Sequence, residues 1–95
     1  MAHRLAHFAS TTAAELAATE ERLRREVETA RERFEHASAE FEQVRLLARE
    51  LGLNTENGSF ALHYSAERFR VSARNYRQAL TRFGDFILRA KFPAE

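Results

Sequence analysis

His3 and His7 stand four residues apart, the right interval to share one helical face and the wrong number of ligands for a metal site. A structural zinc site takes four ligands and a catalytic one three. The chain has no cysteine, and no carboxylate occurs in its first fourteen residues. Glu32 and His36 are also four apart. Bundles that hold two irons use Glu-x-x-His projecting inward instead. His36 and His63 fall outside the apolar stripes and are expected at the surface. No nucleophile–base pair, glycine-rich phosphate loop or dinucleotide fingerprint is present. A two-helix seam also lacks the concave pocket that an active site needs. These observations predict no enzyme, no catalytic residue, no metal and no cofactor.

Arginine carries the remaining chemistry. Arg68, Arg70, Arg74, Arg77, Arg82 and Arg89 line the C-terminal half, with Tyr64, Tyr76 and Phe86 among them. Guanidinium groups suit phosphates. The formal net charge is only +1, however, and these arginines spread around most of a helical circumference. Residues 1–52 hold eight Arg against ten Glu. Residues 59–91 hold seven Arg or Lys against Glu67 and Asp85. An acidic helix packed beside a basic one, with charges flanking the seam, accounts for that asymmetry. Nucleic-acid binding by the second helix is the lesser alternative.

Long helices must position all of these groups. Ninety-five residues suit one domain spanning 1–95, with 44% apolar and 31% charged residues. Three Gly and one Pro leave little turn chemistry for a β fold. Apolar residues recur at alternating intervals of four and three in two runs. The first is Leu23, Val27, Ala30, Phe34, Ala37, Phe41, Val44, Ala48 and Leu51. The second is Leu62, Ala66, Phe69, Ala73, Tyr76, Leu80, Phe83, Ile87 and Ala90. The pattern predicts an all-α fold, a long antiparallel coiled-coil helical hairpin. Its helix 1 covers about 12–51, its turn 52–58 and its helix 2 about 59–91.

Thr12-Ala13-Ala14-Glu15 matches a capping box, and Gly52 suits the left-handed position after a helix. Asn57 or Ser59 is expected to cap helix 2, and Pro93 to end it. Folding at the turn sets Val44 against Phe69, Phe41 against Ala73, Ala37 against Tyr76 and Phe34 against Leu80. Large residues meet small ones in several of these layers. Ser65, Ser72, Ala79 and Phe86 form a stripe beside the seam, suited to the approach of further helices. Helix 1 is expected to outrun helix 2 by some twenty residues, an overhang bearing Leu5, Phe8 and Leu16.

Two helices bury too little on their own. Dimerisation into a four-helix bundle is therefore expected, with a homodimer as the commonest closed symmetry. The residues expected to form the core and mediate self-association are Leu23, Val27, Phe34, Phe41, Val44, Phe69, Tyr76, Leu80, Phe83 and Ile87. Phe60, Tyr64 and Val71 lie off the seam near the turn, where Leu46 and Leu53 are expected to approach them. They form a possible patch for an unidentified protein partner.

No membrane span is expected, because every wholly apolar run is short. The absence of cysteine fits a cytoplasmic location. In size and hairpin plan the chain is similar to the secreted Trp-x-Gly family of helical hairpins. It has no Trp, its turn reads Glu56-Asn57-Gly58-Ser59, and the family's C-terminal Tyr-x-x-x-Asp/Glu signal has no counterpart. A secreted hairpin is thus a further alternative resting on plan alone. The leading expectation is a non-catalytic scaffold or adaptor that self-associates and binds a protein through helix packing.

Overall fold

A computed structural model describes residues 12–52 and 56–92. Helix α1 spans Ala13–Leu51 and helix α2 spans Glu56–Lys91. They pack against each other as a hairpin. His3, His7, Leu5, Phe8, Leu53 and Pro93, and the expectations placed on them, lie outside the described residues.

The start of α1 follows its sequence. The Glu15 amide donates to Thr12 Oγ1 at 3.1 Å, and the Leu16 amide donates to the Thr12 carbonyl at 3.0 Å. One otherwise orphaned amide is thereby satisfied by the cap. At the other end Gly52 has φ of 83°. Nothing lies within 4 Å of where its Cβ would be, so backbone conformation, rather than crowding, calls for glycine there.

The second helix departs from expectation. It begins at Glu56 rather than near Ser59, so residues 56–58 belong to α2 and neither Asn57 nor Ser59 stands before it as its cap. The first amides of a helix lack intrahelical partners, which makes turn-favouring residues such as Asn57 and Gly58 tolerable in its first turn. The earlier start moves the fold point back along the chain, and the register moves with it.

Phe41 stacks on Phe69, with ring centroids 5.7 Å apart, instead of meeting Ala73. Phe34 stacks on Phe69 at 5.5 Å and on Tyr76 at 5.6 Å, one turn or more from Leu80. The ion pairs agree with the rings. Arg68 lies 3.3 Å from Glu40, Arg82 lies 3.9 Å from Glu26 and Lys91 lies 3.5 Å from Glu20. Because Lys91 reaches Glu20, the described overhang of α1 is only the short stretch from Ala13 to Thr19.

Helix α2 also rolls about its axis, while the buried residues of α1, Ala37 and Ala48, are those of its expected seam. Among the described residues the buried ones are Ala37, Ala48, Ser65 and Ala79, with Ser65 only 2% and Ala79 only 3% exposed. The stripe expected to admit a third helix, Ser65, Ser72, Ala79 and Phe86, is therefore the line on which α2 meets α1. Small side chains let the two backbones come close. Burying the serines leaves no unpaired hydroxyl: Ser65 Oγ donates to the Leu62 carbonyl at 3.1 Å, and Ser72 Oγ to the Phe69 carbonyl at 2.9 Å. Relative to the expected seam, α2 is rotated by roughly 50°, half of one residue step. Leu80 is correspondingly 44% exposed and Leu51 76% exposed, although the heptad pattern places both in the seam.

Candidate docking surfaces

The roll divides the apolar surface of the hairpin into two flanks. On one, the rings of Phe41, Phe69, Phe34 and Tyr76 form a continuous stack, with interplanar angles of 10° to 29°. Offset stacking of this kind adds to the area term. All four rings are only half-buried, as are Leu23, Val27, Val44, Phe83 and Ile87. The ten residues expected to form the core thus occupy the seam and its open edge, and none of them is fully buried. Leu80 continues the open edge beyond Tyr76. This flank is a strip of aromatic and aliphatic surface with water on one side.

The opposite flank holds the expected partner patch. Phe60, Tyr64 and Val71 are all exposed, Phe60 at 72%. The Phe60 and Tyr64 rings stack with centroids 6.2 Å apart. The Arg68 guanidinium sits 5.9 Å over the Tyr64 ring while it pairs with Glu40. That double contact ties Tyr64 to the α1 face carrying Glu40. Leu47 and Leu51 lie seven and eleven residues further along α1, on the same face, and both are exposed. They extend the patch at the turn end. Leu46, expected beside the patch, is also exposed but points to another side of α1. The spacing of Leu47 from Glu40 carries this information, but it is legible only once Glu40 is known to face Arg68.

Between the helices on this flank runs an open groove of about 750 Å³. Tyr64, Arg68, Val71 and Asn75 line it from α2, and Thr29 and Arg33 from α1. Its walls mix guanidinium, amide and methyl groups. A smaller depression lies around Arg74, Arg77, Gln78 and Arg82 on the outer side of α2.

Electrostatics along α1 are local. Glu42 accepts two hydrogen bonds from Arg45, at 2.6 and 3.3 Å. This holds the carboxyl below its ordinary range, helped by the charges of Arg45 and Arg49, and raises the guanidinium in turn. His36 lies 4.0 Å from Glu40 and is well exposed. Among the described residues no group of three or more His, Asp or Glu side chains gathers to hold a metal ion. No described helix is long and apolar enough to cross a membrane.

The fold and its surfaces define a two-helix hairpin with two unequal flanks, one aromatic and apolar, the other mixed and cationic. Comparison with protein-family models, with curated proteins and with solved structures gave no match.

Proposed function

We propose that the protein is a non-catalytic helical scaffold or adaptor, which self-associates through its aromatic flank and holds a protein partner on the turn-end patch. One observation carries this reading. Among the described residues the hairpin buries only three alanines and a serine, while every large apolar side chain described stays at least partly wet. A chain rich in aromatics gains most when a further helical layer covers those rings. The exposed pair Phe60 and Tyr64, with Leu47 and Leu51, supplies a separate anchor of the kind that dominates protein interfaces.

The basic outer side of α2 supports a second reading, contact with nucleic acid. Arg74 and Arg77 have no ion-pair partner among the described residues. Affinity capture from lysate with the full chain tests both, using a nuclease-treated control and the variant Phe60→Ser/Tyr64→Ser. The adaptor reading expects a stoichiometric, nuclease-resistant protein that the double variant loses. Recovery that vanishes with nuclease and falls steeply with salt would move the function to the arginines.

A further inference from the structure

The outer face of α2 carries a row of cations that the chain itself leaves largely uncompensated. From Arg68 to Gly84 there are five arginines and no acid. Two of the five turn back to α1, where Arg68 lies 3.3 Å from Glu40 and Arg82 lies 3.9 Å from Glu26. The other three, Arg70, Arg74 and Arg77, are spaced four and three apart, and Thr81 follows four residues on. These four share one face of the helix. At about 3.6 residues per turn that face points away from the line of Ser65, Ser72 and Ala79, and so away from α1. Arg70 has Glu67 of its own helix at 3.3 Å, with both side chains well exposed. Arg74 and Arg77 have no ion-pair partner among the described residues. Asp85, the next acid along the helix, stands a full turn beyond Thr81. Arginines at intervals of three and four repel one another, a cost that a bound anion would remove.

We propose that this face binds the phosphate backbone of duplex nucleic acid without reading its sequence. The inference takes up the second reading above and gives it a site, and the adaptor reading does not depend on it. Guanidinium groups donate paired hydrogen bonds to phosphate oxygens, and Arg74 and Arg77 have no competing carboxylate. Gln78 and Thr81 border the same shallow depression as Arg74, Arg77 and Arg82, adding an amide and a hydroxyl as donors. Nothing acidic lines that depression. The row from Arg70 to Thr81 rises about 16 Å, which suits a ladder of phosphates more than one isolated phosphoryl group. No aromatic side chain stands on the row to stack an unpaired base, which favours a duplex over a single strand. Nor does an apolar side chain that a lipid surface would take up. The aromatic flank lies roughly a quarter turn away around α2, so covering it leaves the row open.

The test titrates the full chain into a fluorescently labelled, mixed-sequence DNA duplex and follows anisotropy over a series of salt concentrations. Three phosphate contacts predict a slope of log affinity against log salt of about −2.7 per chain. Arg74→Gln/Arg77→Gln is expected to weaken binding and cut that slope to about one third, with helicity by circular dichroism retained because both positions are exposed. Arg22→Gln/Arg33→Gln removes the same charge from two exposed arginines of α1 that also lack an ion-pair partner among the described residues. That variant is expected to keep the full slope, and a second duplex of unrelated sequence to bind equally well. Four results would overturn the proposal. They are no binding at low salt, an equal loss of slope in both variants, a strong preference between the two duplexes, or binding to vesicles of anionic lipid but not to the duplex. None of them touches Phe60 or Tyr64, so the adaptor reading would stand and be judged by its own capture experiment.

Discussion

At the scale of single residues, the central fact is that Phe69 touches two other rings and is still not fully buried. Truncating a fully buried Phe costs about 3–5 kcal/mol. Phe69→Ala in the isolated hairpin should cost less, about 2 kcal/mol, because part of its surface is already in water. Urea unfolding at low concentration measures this. Leu80→Gln should leave that low-concentration stability nearly unchanged and weaken association at high concentration, since Leu80 lies on the open edge. Gly52→Ala forces an L side chain into positive φ and should cost about 1–2 kcal/mol, read by the same unfolding curve. The Glu42–Arg45 contact gives a pH dependence of known sign. The folded carboxyl is held below its unfolded value, so its contribution is complete above the ordinary carboxylate range and fades as the pH falls through the lowered value. A Glu42→Gln variant should lose that acid sensitivity in a pH series of melting curves. The effect should be small, because the pair is fully solvated.

At the scale of elements, the helices were legible in the sequence and their register was not. Unbroken spacings of four and three, the Thr12 cap and the glycine after Leu51 mark α1 from one end to the other. The second helix shows why register is harder to read. Two sets of α2 residues, one including Phe69, Tyr76 and Leu80 and the other Ser65, Ser72 and Ala79, lie side by side on one broad arc. Hydropathy favours the larger set as the seam. Backbone approach favours the smaller, because serines that bond their own helix can be buried without loss. The start of α2 at Glu56 compounds the difference. Asn57-Gly58 reads as a turn, yet within the first turn of a helix it interrupts nothing. The acidic and basic character of the two helices was readable, and its consequence appears where Glu40 meets Arg68 and Glu26 meets Arg82. Of the partner patch, Phe60, Tyr64 and Val71 could be found from spacing within one helix. Leu47 could not, because its place depends on how the other helix turns.

At the scale of the whole molecule, the hairpin has a radius of gyration of 21.0 Å, where a compact chain of this length would have about 12 Å. The two described helices leave the rings of the aromatic flank half-buried, and the proposed self-association would supply the layer that covers them. On the proposed function the aromatic flank is the self-association surface and the turn-end patch the site for a protein partner. The most direct measurement is the mass in solution by sedimentation equilibrium, from low to high micromolar concentration. Self-association through the aromatic flank predicts a rise toward twice the 11.0 kDa chain mass, with the rise lost in Leu80→Gln. A mass that stays at 11.0 kDa throughout would contradict it.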